Sequence, residues 1–123
     1  MKLTLSALPH TWILDLDGTI VVHNGYKMHG KDVFLDGAKE FLCSIPQEDM
    51  IVFLTSRKKE YADVTETFLN ENGIRYDTII YEAPYGERIL INDNKPSGLT
   101  MAYAVCKDRD EKNDLFIEVN SEL

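Results

Sequence analysis

The sequence predicts an α/β fold in which a mostly parallel sheet lies between helices on both faces, giving three layers. Short apolar runs typical of buried strands alternate along the chain with segments that have helical spacing. This alternation favours parallel strands, because each helix carries the chain back to start the next strand in the same direction. The 123 residues suit one compact domain, so we expect a single domain over residues 1–123.

The strands are predicted from apolar runs that end in turn-forming residues. They cover residues 12–16, 50–54, 77–81, 88–91 and 115–119. Only six residues, 82–87, separate the third and fourth of these strands, which is too short for a helical crossover. The fourth strand therefore either follows an extended crossing of the sheet edge or runs antiparallel, and the pattern leaves both open.

Three helices are predicted between or after these strands. The first has apolar residues at helical spacing from Ala38 to Ile45 and is closed by Pro46. The second starts near Tyr61 and stops at Gly73, and the third follows Ser97, which is a suitable N-cap. Between the first strand and the first helix, Asn24-Gly25 predicts a β-hairpin, because this pair favours the tight turns that join antiparallel strands.

Composition limits the classes of function. With 21 acidic against 13 basic residues and a net charge of −8, the chain is not a general nucleic-acid binder. It has no signal-peptide pattern and no apolar run that could span a membrane, so we expect a cytoplasmic protein with no membrane partner. Cys43 and Cys106 are expected to be buried free thiols, and the charged run at 107–114 a solvated loop.

Polar residues follow three of the predicted strands at the point where each strand ends. Asp15 and Asp17 end the first, Thr55 and Ser56 the second, and Asn92-Asp93 the fourth. If these strands are parallel, their carboxyl ends share one edge of the sheet, where α/β proteins bind ligands. The sequence thus predicts a single site at this edge.

Two carboxylates two residues apart point to a bound cation. Asp15 and Asp17 would lie on one side of the chain and repel each other unless a cation or a shared proton neutralises them. A site rich in oxygen and without His or Cys suits Mg²⁺, with Asp93 completing the metal ligands. Asp15 could then attack a phosphorus atom, and Asp17 could exchange a proton with the leaving oxygen and with water. Gly18 permits the sharp turn out of the strand.

The remaining candidates would bind phosphate. The Thr55 hydroxyl and the backbone N–H of Ser56 are placed to hold phosphate oxygens at the start of the following helix. Gly18 and Thr19 extend the first motif, and Lys95 follows the Asp93 turn. The role of Arg57 is left open.

The motif Asp15-Leu16-Asp17-Gly18-Thr19, the strand ending at Thr55 and the later strand ending at Asp93 together resemble the haloacid dehalogenase superfamily of phosphotransferases. The resemblance covers about residues 12–105. It implies a Rossmann-like fold, Asp15 as nucleophile, Asp17 as acid/base, Mg²⁺ held by Asp15, Asp17 and Asp93, and phosphate bound by Thr55. It also implies that the Asn24-Gly25 hairpin is a mobile flap.

The chain departs from that family in its third motif, a basic residue that is usually Lys. Between Glu60 and Asn92 the only cations are Arg75 and Arg88. Arg88 would begin the fourth strand, about 16 Å from its tip at the usual rise per residue, so it is expected at the wrong end. We therefore predict that Lys95 replaces the missing lysine.

The motif spacing leaves no room for a cap domain. Forty positions separate Asp15 from Thr55, and 38 separate Thr55 from Asp93. An open site suits a large phosphorylated substrate, or a second copy of the chain acting as a lid. The short pattern is similar to phosphatases of phosphosugar and surface-polysaccharide pathways, so a phosphorylated small molecule is also expected.

Taken together, the motifs predict a Mg²⁺-dependent phosphomonoester phosphatase that works through an aspartyl-phosphate. A non-catalytic binding or scaffold module on the same fold is the first alternative, because the third-motif lysine is missing. A receiver-like phosphoacceptor domain fits less well, because it needs its phosphorylated Asp at the end of a middle strand, where this chain has Thr55.

Overall fold

The computed structural model describes residues 1–123 and has an α/β architecture with parallel strands. The chain forms five strands and three helices, with a single 3₁₀ turn at Lys59–Tyr61 leading into the third helix. In chain order they are β1 (Lys2–Leu5), β2 (Thr11–Leu14), α1 (Gly25–Met28), α2 (Ala38–Ser44), β3 (Met50–Leu54), α3 (Ala62–Glu71), β4 (Thr78–Ile80) and β5 (Phe116–Val119).

The strands form two parallel sheets. The larger has the order β2-β3-β4, with Trp12 opposite Ile51 and Val52 opposite Thr78. Helix α2 connects β2 to β3 and α3 connects β3 to β4, so these elements make two successive βαβ units. The predicted parallel direction is confirmed for these three strands. The smaller sheet pairs β1 with β5, and β1 lies in the leader, where no strand was predicted.

The apolar residues of these two units form one core. Phe53 and Ile51 of β3 are almost fully buried, because they lie on the sheet face that α2 and α3 cover. On the other face Ile13 and Ile80 are 52% and 49% exposed, so the predicted helices on both faces, giving three layers, are not formed over these strands. The core comprises Leu16, Ile20, Val21, Leu35, Ala38, Leu42, Ile45, Ile51, Phe53, Leu69 and Ile74. All of these residues precede residue 75, so the buried part of the protein ends well before the chain does.

The predictions of a strand at 88–91 and of a helix after Ser97 are wrong. Both segments are irregular, and Ile89 and Ile91 are 82% and 91% exposed. An apolar run becomes a strand only when a neighbouring strand pairs with it and another layer covers it, and neither partner is present here. The question of that strand's direction therefore does not arise.

The predicted hairpin turn is also wrong. Asn24 takes a left-handed conformation with φ 56° and leads into α1 instead of joining two strands. Antiparallel pairing is limited to a bridge between Val21 and Phe34, supported by a hydrogen bond of 3.0 Å from Val22 N to Val33 O. The loop between β2 and α2 is thus closed at its base but helical at its tip.

Two smaller predictions need correction. Cys43 and Cys106 are free thiols, as expected, but both are exposed, because Cys43 lies on the outer face of α2 and Cys106 in the irregular segment. The charged run at 107–114 is exposed, yet it packs by hydrogen bonds on the turn after β2, as described below.

No helix has the length and apolar character needed to cross a membrane.

Candidate functional site

The site is built on the turn that follows β2. Asp15 and Asp17 have side chains that are 32% and 16% exposed, and Leu16 between them is buried in the core. Gly18 has φ +82°, and its N–H donates to Val21 O at 2.7 Å. This left-handed residue turns the chain sharply, which glycine does without steric cost. The turn therefore leaves two carboxylates at the carboxyl end of β2, as predicted.

Asp15 accepts hydrogen bonds from two directions. The Thr19 hydroxyl donates to Oδ2 at 2.9 Å, and Arg88 Nη1 donates to Oδ1 at 3.2 Å. Arg88 Nη2 also donates to Ser56 Oγ at 3.3 Å. One guanidinium thus links the turn after β2 to the loop after β3.

The placement of Arg88 corrects the sequence prediction. Arg88 was expected at the far end of a strand, but no strand forms there and the chain instead brings its side chain to Asp15. Lys95, the predicted substitute, is exposed and its side chain makes no hydrogen bond or ion pair; its backbone N–H donates to Leu99 O at 3.0 Å and its carbonyl accepts from Gly98 N at 2.8 Å. The cation beside Asp15 is therefore Arg88.

Asp17 is held by a different arginine. Arg57 Nε donates to Oδ2 at 2.9 Å and Arg57 Nη2 donates to Oδ1 at 3.0 Å, a bidentate pair. Arg57 also forms a bidentate pair with Asp32, at 2.7 and 2.9 Å. The remaining Nη1 donor reaches the Thr65 hydroxyl at 2.8 Å. Since a guanidinium has five N–H donors, Arg57 has none left for a ligand.

The Arg57 cluster, meaning Arg57 with Asp17, Asp32, Thr65 and Tyr26, is mostly buried. The guanidinium carbon lies 3.9 Å from the centroid of the Tyr26 ring, on which it stacks. Burial by itself would lower the pKa of Arg57, but hydrogen bonds to Asp32 and Asp17 raise it above its ordinary value, so the group stays charged. Burial, and then the charge of Asp17, raise the pKa of Tyr26.

The loop after β3 holds the predicted phosphate-binding residues Thr55 and Ser56. Thr55 is fully buried, and its hydroxyl oxygen accepts the backbone N–H of Arg57 at 3.1 Å. The Ser56 hydroxyl is partly accessible and lies between Arg88 and Pro84 O. Of these two residues, it is therefore Ser56, and not Thr55, whose hydroxyl lies next to Arg88, the cation beside Asp15.

Gly18 and Thr19, predicted to bind phosphate, use their backbone groups within the protein. Their N–H groups donate to Val21 O and Leu16 O, and their carbonyl oxygens accept from Asp110 N at 2.9 Å and Lys107 Nζ at 3.1 Å. A side chain on Gly18 would meet Arg109 at 3.1 Å. The charged run thus closes over this turn, and only the Thr19 hydroxyl faces Asp15.

The residues predicted to hold Mg²⁺ do not fit that ion as they are arranged. No group of three His, Cys, Asp or Glu side chains lies close enough to hold a metal ion, so Asp93 does not join Asp15 and Asp17. Asp93 is exposed on the irregular segment. All four oxygens of the Asp15 and Asp17 carboxylates accept hydrogen bonds from protein groups. The predicted metal centre is therefore not assembled, and use of Mg²⁺ stays a prediction.

Sequence reasoning missed Asp32 and left Arg57 undecided. A signal existed for Arg57, since a cation three residues past β3 lies at the same sheet edge as Asp17. No comparable signal marked Asp32, because a single Asp in a loop before an apolar run is typical of a solvated turn. Its pairing with Arg57 depends on how the 31–35 segment crosses the turn after β2.

Comparison of this chain with protein-family models, with curated proteins and with solved structures found no match. The α/β fold and the site geometry are therefore the observations on which a function can be argued.

Proposed function

We propose that this chain is a phosphomonoester phosphatase that resembles the haloacid dehalogenase superfamily and forms an aspartyl-phosphate on Asp15. The observation that carries the proposal is the contact of Asp15 with Arg88, which also reaches the Ser56 hydroxyl. A carboxylate next to a partly exposed guanidinium and two hydroxyls is suited to meet a phosphoryl group, because these donors can hold its oxygens. The substrate class is a phosphorylated metabolite such as a phosphosugar, or a larger phosphorylated molecule reaching an open site.

The chemistry would run in two steps. An Asp15 oxygen attacks phosphorus while the bond to the leaving oxygen breaks, and Asp17 gives that oxygen the proton it took from water in the preceding turnover. Asp17 then takes a proton from water, which attacks the aspartyl-phosphate, releases inorganic phosphate and restores Asp15. Each carboxylate oxygen has a second lone pair, so Asp17 can exchange a proton while Arg57 holds it. Arg88 would leave Asp15 to bind the phosphoryl oxygens.

The test is hydrolysis of p-nitrophenyl phosphate by the purified chain. Asp15→Asn should lower kcat by about a thousandfold or more, since the nucleophile is removed while the shape is kept. Asp36→Asn is the matched control, because Asp36 is an exposed carboxylate whose side chain makes no hydrogen bond or ion pair, and it should retain full activity. Equal activity of wild type and Asp15→Asn would refute the aspartyl-phosphate mechanism.

Magnesium dependence is a separate arm of that test. Loss of activity in excess EDTA, restored by Mg²⁺, would mean that a further carboxylate joins Asp15 and Asp17 in solution. Undiminished activity in EDTA would mean that Arg57 and Arg88 supply the positive charge on their own. The two outcomes separate the predicted metal requirement from the role of Asp15.

A non-catalytic module that binds a phosphorylated partner is the second candidate. It is favoured by the bidentate hold of Arg57 on Asp17 and by the lack of a group of carboxylates able to hold a metal ion. Calorimetric titration with phenyl phosphate distinguishes it from the enzyme. Saturable binding that Arg88→Gln weakens, without any hydrolysis by the wild type, would support the binding module and exclude the phosphatase.

A further inference from the structure

The Arg57 cluster joins two carboxylates that differ in their freedom to move. The Asp32 side chain is only 2% exposed, and both of its oxygens accept hydrogen bonds from Arg57. Asp17 belongs to the partly open turn beside Asp15 and is the more accessible of the two. Asp32 can therefore only hold Arg57 in place, whereas Asp17 is the carboxylate of the cluster that can contact a ligand.

The guanidinium between them is fixed on every side. Asp32 and Asp17 take two donors each, the Thr65 hydroxyl takes the fifth, and the Tyr26 ring covers one face. Thr65 itself donates to Tyr61 O at 2.8 Å, so this acceptor is held by the start of α3. A planar fork that is fixed in this way allows one orientation of the carboxylate that pairs with it.

The backbone of Arg57 fixes the cluster to the loop after β3. Its N–H donates to the Thr55 hydroxyl at 3.1 Å, and its carbonyl accepts from Glu82 N at 2.9 Å. The direction of the Asp17 carboxylate is therefore set by residues from three separate segments: the 31–35 loop, the loop after β3, and α3.

We propose that Asp32 and Arg57 are positioning residues, which hold the Asp17 carboxylate in the orientation it needs for proton transfer at Asp15. The inference rests on the proposed phosphatase function and extends it to residues that touch neither substrate nor phosphorus. An acid/base group acts mainly in the transition state, so its misorientation lowers kcat and leaves KM nearly unchanged. A displacement of about 1 Å at a reacting group can cost about a hundredfold in rate.

The test compares Asp32→Asn with Asp36→Asn in steady-state hydrolysis of p-nitrophenyl phosphate. In Asp32→Asn the amide NH₂ faces a guanidinium donor, so one anchoring bond is lost and Arg57 can tilt. We expect kcat to fall about 10- to 100-fold, with KM within about twofold of wild type. The control should match wild type in both constants. Circular dichroism gives the folded fraction, by which each kcat is corrected.

Two further variants keep the proposal testable if Asp32→Asn does not fold. Thr65→Val removes one uncharged acceptor and should give a smaller loss of kcat than Asp32→Asn, with the fold intact. Arg57→Lys keeps the charge but loses the fork, whereas Arg57→Met loses both and leaves Asp17 and Asp32 without a partner. We expect Arg57→Lys to have a higher free energy of unfolding than Arg57→Met but an equally low kcat.

The outcomes separate this inference from the proposed function. An active wild type with unchanged corrected kcat in Asp32→Asn and Thr65→Val would overturn the positioning role and leave the phosphatase in place. A parallel rise in KM and fall in kcat would assign the cluster to substrate binding and also overturn it. A wild type that hydrolyses no phosphomonoester would overturn both.

Discussion

The two aspartates of one short motif lie in contrasting surroundings. Asp17 forms a bidentate pair with Arg57, whose side chain is almost wholly buried and which is itself anchored by Asp32. Asp15 has one ion pair, through a single hydrogen bond of 3.2 Å from Arg88, a partly exposed arginine on an irregular segment. The first pair belongs to the structure of the domain, and the second can open without disturbing the core.

The different surroundings suit the two carboxylates to different roles. A group whose counter-ion is fixed keeps its place, which suits proton transfer along a set direction. A group whose counter-ion is exposed can exchange that partner for a ligand at little cost, because surface ion pairs contribute little to stability. The comparison favours Asp15 as the residue that meets the phosphoryl group.

The contrast between the two arginines gives the largest expected effect on stability. Arg57→Met should lower the free energy of unfolding by about 3–5 kcal/mol, because it leaves Asp17 and the buried Asp32 without a partner. Arg88→Met should lower it by less than about 1 kcal/mol, since its ion pair is solvated. Urea unfolding followed by circular dichroism measures both. Equal losses of unfolding free energy in the two variants would contradict the distinction between the buried Arg57 pair and the solvated Arg88 pair.

Substitution of the two aspartates should show a smaller difference in unfolding free energy, again with the larger loss on the Arg57 side. Asp17→Asn replaces an acceptor oxygen by an NH₂ group facing Arg57, and we expect a loss of about 1–3 kcal/mol. Asp15→Asn should change the unfolding free energy by no more than about 0.5 kcal/mol, because its contacts are partly exposed. The same urea titration measures both variants. A larger loss of unfolding free energy in Asp15→Asn than in Asp17→Asn would contradict the comparison.

The smallest effect concerns the cation that serves Asp15. Arg88→Gln should raise KM for p-nitrophenyl phosphate about tenfold, because a charged donor to the phosphoryl oxygens is lost. Lys95→Gln should leave KM within about twofold, because Lys95 makes no contact with the site. Michaelis–Menten kinetics on both variants decide between these two cations, and a larger change in the Lys95 variant would restore the sequence-based assignment.

Much of the central architecture follows from the sequence alone. The apolar runs before Asp15 and Thr55 are strands within two residues of their predicted limits, because a short buried run ending in turn residues has few other solutions. The run at 88–91 has the same local pattern and forms no strand. Whether such a run forms a strand depends on a neighbouring strand edge and on a layer that covers it. The residues of the run itself specify neither.

The position of Asp15, Asp17, Thr55 and Ser56 at one edge of a parallel sheet follows from the sequence, because strand direction and the period of two fix where strand ends meet. The cation that pairs with each carboxylate depends on the tertiary structure. Arg57 and Arg88 lie 40 and 73 positions from their partners, and Asp32 reaches Arg57 across 25. Pairing over such distances is set by how loops cross the sheet edge, since local spacing carries no information about it.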